Sequence, residues 1–318
     1  MIPVWVIGNN GLLGQALCRM LIRQGCMLYI PLERFDWSSG CAVLHQFKSA
    51  VTAFSAFVAG EDAWEIYWAA GVGNMSSLAV DLAQEKRALA FLLDLVKSDL
   101  RLMGKNGRMA FASSAGSIYA GSHDFHINEN SLPVPTSEYA YEKIIQENMV
   151  CSFINSNTCM MGLIARFSTL YGTNQSIGKQ QGLLSHIARS ILRDRPIQIF
   201  VPLDTIRDYI DVDDAATMMI CSLRAIKKPG AGIKIIASEQ PATIASIIAK
   251  FKSITRHSPR IVTSIKKFSV SYPLRMQFRS VVFEEYSHTP KKNLLIGIAQ
   301  IMEAEKVRLK KSRFSFEE

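Results

Sequence analysis

The sequence predicts an α/β protein on a doubly wound parallel sheet, with a smaller lobe from its C-terminal part. Three observations carry this. Short apolar runs ending in small residues alternate with stretches of helical periodicity through the first 168 residues. That alternation favours parallel strands joined by right-handed crossovers. Three glycines stand between the first apolar run and the first helical stretch, and after about residue 168 the alternation becomes irregular.

In chain order, "VWVIG" (4–8) is a short buried strand closing on Gly, and "QALCRMLIRQG" (15–25) reads as a helix with a Gly stop. "CMLYI" (26–30) is a second strand. "EIYWAAG" (65–71) and "GRMAFASS" (107–114) are further strands, separated by a long amphipathic helix over 81–98. "CMMGLIARFS" (159–168) is another strand, preceded by "SEYAYEKIIQE" (137–147). On a helix, residues four apart share a face at about 5–6 Å, whereas residues two apart diverge. Tyr139 therefore meets Lys143, and Tyr141 points elsewhere. The expected division is 1–167 with a return at 203–226 for the sheet domain, and 168–202 with 227–318 for the lobe.

At 318 residues, 48 % hydrophobic and 20 % charged, the chain has the composition of a folded protein with a sizeable core. No apolar run reaches the roughly 18 residues of a membrane span. The start has no basic n-region and no small-residue cleavage site, so a cytoplasmic protein is expected. The six cysteines form no Cys-x-x-Cys pair and no ligand spacing with histidine, which points to reduced thiols and no metal. His123 and His126 fall in a polar loop, and His45 on a helix. Residues 1–223 carry net charge −3 and residues 224–318 net +12. The basic part lacks aromatic interleaving and any nucleic-acid motif, so no nucleic-acid partner is expected. One or two of its arginines binding a phosphate is the economical functional reading.

"GNNGLLG" sets Gly8, Gly11 and Gly14 between strand and helix. Bare backbone there can approach a pyrophosphate whose charge sits at the helix N-terminus. At the end of the second strand, "IPLERFDW", Leu32 falls where an acid would bind the adenosine ribose in an NAD protein. Arg34 is instead placed to face a 2′-phosphate and Asp36 to meet the adenine, which tilts the expectation to NADP over NAD.

Together with "FASSAGSIYAG" (111–121), "ARFSTLYGTNQ" (165–175) and "RDYIDVDDAA" (207–216), in that order, these motifs make the chain resemble the extended short-chain dehydrogenase/reductase family. The likeness is to its NAD-dependent epimerase/dehydratase group, which acts on nucleotide sugars. It spans residues 1 to about 216, and the last hundred residues match only in outline.

The resemblance implies a Rossmann-type domain with Tyr139 as acid/base and Lys143 as its partner and holder of the nicotinamide ribose. Further cofactor contacts would come from Gly8, Asn10, Gly11, Leu12, Leu13, Gly14, Arg34, Ala69 and Ala70. An ammonium beside a phenol favours the phenolate, so Tyr139 is expected to move from ~10 towards neutrality. A serine would hydrogen-bond the substrate oxygen. The family position, four before Tyr119, is Ala115 here. A turn with one extra small residue puts Ser114 in the role, with Ser113 and Ser117 as alternatives.

The family's dehydratases carry Asp-Glu after the catalytic Thr. Ala115 and Gly116 stand there, so dehydration is not expected. Arg207 matches the family arginine on the substrate diphosphate, and Arg279 or Arg275 is a second candidate. Asp211, Asp213 and Asp214 precede an apolar helix and read as caps rather than metal ligands. Segments 171–182 and 196–200 resemble those lining the sugar and base, with Thr169 replacing the asparagine of "RxxNxYG". The implied activity is hydride transfer on a nucleotide-diphosphate hexose, first as an NADPH-dependent 4-keto-sugar reductase and second as an NAD-dependent C4 epimerase. A non-catalytic dinucleotide-binding protein is the third reading. A homodimer is expected through the helices carrying Tyr139 and residues 81–98.

Overall fold

Along the first strand, β1 (Pro3–Ile7), Val4 and Val6 face one helical layer while Trp5 and Ile7 face the other. A strand covered on both sides is apolar at every position, which is why it reads as an unbroken hydrophobic run. The computed structural model describes all residues except 72–78, 176–181, 257–258, 264–272, 288–289 and 315–318.

From β1 the chain runs through α1 (Leu12–Arg23), β2 (Met27–Tyr29), α2 (Gly40–Phe57), β3 (Ala63–Trp68), α3 (Ala79–Ser98), α4 (Leu100–Met103), β4 (Asn106–Ser114) and α5 (Ala115–Ile118). It continues with α6 (Glu138–Asn155), β5 (Met161–Phe167), β6 (Thr169–Tyr171), α7 (Leu183–Leu192), β7 (Ile197–Ile199), β8 (Ile206–Asp211) and α8 (Val212–Ala225). The remainder is β9 (Gly230–Ile236), β10 (Pro241–Thr243), α9 (Ile244–Thr255), β11 (Ile261–Thr263), α10 (Glu284–Ser287) and α11 (Leu294–Phe314).

The main sheet has the order β2-β1-β3-β4-β5-β9, and all its pairs are parallel. Helices α1 and α8 cover one face; α2, α3 and α6 cover the other. The order reverses between β1 and β3, so their carboxyl ends open the crevice where doubly wound sheets bind ligands.

Three details differ from the sequence reading, the first being that of 203–226, expected to return to the main sheet, only α8 packs on it while β8 pairs with β6 and β10. The segment that forms β9 was expected in the lobe, yet it is the sixth strand, with Met161 to Phe167 in register with Gly230 to Ile236. Its glycines and the buried Lys234 conceal the apolar pattern. Helix α2, recognised in the sequence only around His45, supplies Phe47 and Phe54 to an aromatic cluster with Trp5, Trp64 and Trp68. Ring centroids there lie 5.5 Å apart for Trp5–Phe54 and 6.2 Å for Phe47–Trp68, separations typical of packed aromatic pairs.

The lobe contains the sheets β10-β8-β6 and β11-β7. Its core joins Leu184 and Ile187 of α7, Ile247 and Phe251 of α9, and Ile298 and Ile301 of α11. Among the described residues no helix is long and apolar enough to cross a membrane.

Helix α8 follows a lobe strand but is fastened to the main sheet. Arg224 donates to both oxygens of Glu65, at 2.9 and 2.8 Å, and Tyr67 donates to the same carboxylate at 2.9 Å. Glu65 is fully buried in β3. Arg224→Met leaves that carboxylate without its cation. The expected loss is about 3 kcal/mol, the low end for breaking a buried pair because Arg224 keeps some solvent, measured by urea unfolding.

Candidate active site

The crevice wall is made by close backbone contacts. Gly8 has φ +88°, and a Cβ on it would lie 2.5 Å from Ala70 N and 2.7 Å from Ala69 C. A Cβ on Gly14 would lie 2.1 Å from Gly8 O. Neither position admits a side chain, and Gly8 also needs the left-handed backbone that glycine supplies freely. Gly11 donates its N–H to Gly8 O at 2.9 Å and is the N-cap of α1, with no side-chain cap. The N–H groups of the first turn, at Leu12, Leu13 and Gly14, therefore have no capping side chain. Gln15 donates to Asn10 O at 2.9 Å and accepts from Asn174 at 3.0 Å, which ties the loop to the stretch after β6.

The β2–α2 loop is less committed. Leu32 and Arg34 are exposed, and the Arg34 carbonyl accepts from Gln46 at 3.1 Å. Asp36 accepts from the Ser38 hydroxyl and N–H, which hold its carboxyl below the usual range.

Helix α6 begins at Ser137, whose hydroxyl accepts from Ala140 N at 3.3 Å. Tyr139 is half-buried and Lys143 is buried one turn on; Tyr141 is 57 % exposed. Lys143 Nζ lies 5.8 Å from the Tyr139 ring centroid and 5.1 Å from that of Phe111 on β4. It donates to Glu85 Oε1 at 2.8 Å and to Gln146 Oε1 at 3.1 Å.

The expected downward move of Tyr139 is not what the chain by itself produces. Burial pushes the phenol up; Lys143 pulls it down, and Glu85 pushes it up again. Lys143 also sits above its ordinary value: burial lowers it, but Tyr139, Glu85 and Glu147 together outweigh burial. Glu85 escaped the sequence reading. Its one signal was a carboxylate among the apolar positions Leu82, Leu89, Leu92 and Val96 of α3.

One turn further, Glu147 accepts from Arg166 Nε at 3.0 Å and from Nη2 at 2.6 Å, while Nη1 donates to Tyr119 OH. This buried bidentate pair ties α6 to β5 and to the residue after α5.

The serines separate. Ser114 Oγ caps α5 by accepting from Ser117 N at 3.3 Å, and Ser117 Oγ donates to Ser114 O at 3.3 Å. Ser113 is buried with no partner for its hydroxyl among the described residues. By strand alternation it shares the β4 face of Phe111, over which Lys143 lies. Ala115 is buried.

Arg207, on β8, donates to Ile206 O at 2.8 Å. Ile206 N–H donates to Leu274 O and Met276 N–H to Ile206 O, so Arg207 and Arg275 leave adjacent backbones. Arg275 lies 4.6 Å over the Phe125 ring; Arg279 is exposed, and its N–H donates to Ile127 O at 2.9 Å.

The three aspartates are occupied in helix α8. Asp211 is the N-cap and pairs with Lys292 at 2.8 Å, Asp213 pairs with Arg19 at 2.5 Å, and Asp214 accepts from Lys292 N at 2.7 Å. Among the described residues no group of three or more His, Cys, Asp or Glu could hold a metal. The six cysteines are free thiols. Of segment 171–182, residues 176–181 lie outside the described residues; within 196–200, Ile197–Ile199 forms β7.

A family model described as "NAD dependent epimerase/dehydratase family" matches residues 4–236. The dTDP-4-dehydro-6-deoxyglucose reductase of Escherichia coli is 31 % identical over 116 residues, 36 % of each chain. The match thus spans about a third of that relative's length. Among solved structures, the UDP-glucose 4-epimerase of Thermus thermophilus, in complex with NAD, superposes with TM-score 0.77 at 17 % identity, covering 96 % of this chain and 99 % of that one. RMD from Pseudomonas aeruginosa, complexed with NADPH, gives 0.76 at 19 %, covering 97 % and 100 %. At these identities the two structures establish the shared fold.

Folded Tyr139 and Lys143 both hold their protons beyond their ordinary values of 10.0 and 10.5. The stability this contributes is complete below those values and is lost as pH rises beyond them through the raised values of the folded chain, because the unfolded chain releases protons first. The urea midpoint is therefore expected to fall as pH rises above about 10, and to fall less in Tyr139→Phe.

Proposed function

The chain belongs to the NAD dependent epimerase/dehydratase family, and from that premise we propose an enzyme that moves a hydride between a nicotinamide dinucleotide and a nucleotide-activated hexose. The observation that carries this reading is the buried Lys143 beside Tyr139, over the end of β4. The glycine loop fits a dinucleotide: backbone fills the space where Cβ atoms of residues 8 and 14 would sit, and the start of α1 carries no side-chain cap. Once bound there, the dinucleotide supplies the hydride chemistry.

The rest is the work of the chain's own groups. Backbone N–H groups of Asn10, Leu12 and Leu13 receive the pyrophosphate in the space that Gly8, Gly11 and Gly14 leave bare, with Ala69 and Ala70 as the facing wall. Lys143 donates to a ribose hydroxyl and keeps its charge beside Tyr139. Tyr139 OH gives a proton to, or takes one from, the sugar oxygen at the reacting carbon. A serine hydroxyl steadies the same oxygen. Geometry favours Ser113, whose hydroxyl has no other partner among the described residues, over Ser114, which is engaged in capping α5. Arg207, with Arg275 or Arg279, holds the substrate diphosphate.

A 4-keto-sugar reductase using NADPH is the first reading. Leu32 replaces the ribose-binding acid, exposed Arg34 suits a 2′-phosphate, and the matched Escherichia coli relative is a reductase. A C4 epimerase with NAD is the second, since it too needs only hydride transfer and the one Tyr139 acid/base. The same reading includes a homodimer, since Tyr141 and Ile145 on α6 and Val80 on α3 are exposed.

Purified protein given a 4-keto nucleotide sugar and NADPH is expected to consume NADPH. Interconversion of C4 epimers without consumption would select the epimerase. Tyr139→Phe is expected to lower kcat by about 10²–10⁴-fold with dinucleotide affinity retained, and unchanged turnover removes Tyr139 from the chemistry. Ser113→Ala is expected to lose more activity than Ser114→Ala.

A further inference from the structure

We propose that Glu85 is a positioning residue: its buried carboxylate fixes the Lys143 ammonium beside Tyr139, so that the phenol works against an ion pair rather than a free cation. The inference rests on the roles given above to Tyr139 and Lys143.

A carboxylate on the inner stripe of α3 is a poor choice for packing alone. Its neighbours on that stripe, Leu82, Leu89, Leu92 and Val96, are apolar, and burying a charge is costly unless it is paired. Glu85 is 4 % exposed and its Oε1 lies 2.8 Å from Lys143 Nζ. Lysine has three donors. Glu85 and Gln146 take two, which points the ammonium and leaves one donor for a ligand hydroxyl. Gly71, just beyond the Ala69–Ala70 wall, lies against the same carboxylate: a Cβ there would be 3.5 Å from both oxygens. Glu85 therefore stands between the crevice wall and the lysine.

Among the described residues, no other charge facing the pair can take this role. From α6, Glu147 is committed to Arg166 of β5, which also donates to Tyr119 from beyond α5. Lys86 of α3 pairs with Glu142 of α6 at 2.9 Å. Strand β4 offers the ring of Phe111.

The chemical consequence concerns direction. A lone ammonium would draw the proton from Tyr139, whereas a neighbouring carboxylate opposes it, in the same sense as burial. The phenol is then held protonated at neutral pH, ready to donate. Reduction of a ketone needs a proton donor as hydride arrives. Oxidation of a hydroxyl, the first step of an epimerase, needs a base. Glu85 thus biases the site towards substrates that arrive as ketones.

The test is an ultraviolet difference titration of tyrosine ionisation in the full-length protein, with the Tyr139 step identified by its loss in Tyr139→Phe. Glu85→Gln keeps the shape and removes the charge. It is expected to move that step to lower pH and to shift the alkaline limb of kcat for ketone reduction the same way, with the sugar KM held. Glu85→Asp withdraws the charge by one methylene, moves the step in the same direction by less, and serves if Glu85→Gln does not fold. A step that superimposes on wild type, or moves up, in protein with native circular dichroism overturns the inference. If the step moves but wild type turns over no sugar, Glu85 keeps its role and the proposed reaction is what fails.

Discussion

A lysine ammonium lies buried between α6 and β4, and its burial has to be compensated. Desolvating such a charge is worth several kcal/mol against folding unless a partner and good hydrogen bonds repay it. Here the compensation comes from Glu85, one helix away, and Gln146, one turn away. A second buried pair, Glu147 with Arg166, continues the arrangement across to β5 and to Tyr119. The groups involved are spread over α3, α6, β4, β5 and the residue after α5, so these elements can take few relative positions that satisfy all of them. The charge proposed to take part in the chemistry also specifies how the layers pack.

The crevice depends on a complementary constraint, the absence of side chains. A methyl group at Gly14 would force α1 away from the β1–α1 turn, and at Gly8 backbone meets backbone so closely that even a methyl group would force that turn away from the end of β3. That contact joins the two strands on either side of the reversal in strand order. The lobe is held by equally specific polar ties. Glu129 accepts from Ile235 N at 2.8 Å and Val281 N at 2.8 Å, binding the 273–283 segment to the edge strand β9. Arg275 and Arg279 belong to that segment, so the sheet edge positions the arginines proposed for the diphosphate.

Much of this was legible in the chain. Tyr139 and Lys143 were paired by spacing alone, because helix periodicity is set by the backbone and does not depend on what packs around it. The glycine triplet was legible because a residue lacking Cβ leaves a mark at each position where space is absent. Glu85 was not legible: a glutamate at helical spacing looks like any solvated charge until its face is known to be buried. Ser113 and Ser114 could not be ordered from the sequence, since adjacent serines differ only in which side of β4 each one faces. The segment forming β9 was hidden by its glycines and by Lys234, whose charge is met by Ser280 and by the carbonyls of Val282 and Phe283, far along the chain.

The sequence by itself determined the alternation of strands and helices, the bare turn after β1, and the Tyr139–Lys143 face. All three follow from local geometry, which a single stretch of chain carries whole. Only the tertiary structure decided that the lysine is half of a buried ion pair, that Ser114 caps α5 while the Ser113 hydroxyl has no partner among the described residues, and that the sixth strand comes from beyond residue 226. Those outcomes depend on residues 58 positions apart for Lys143 and Glu85, and 46 for Lys234 and Ser280. Desolvation and pairing at such separations exist only once the layers have closed.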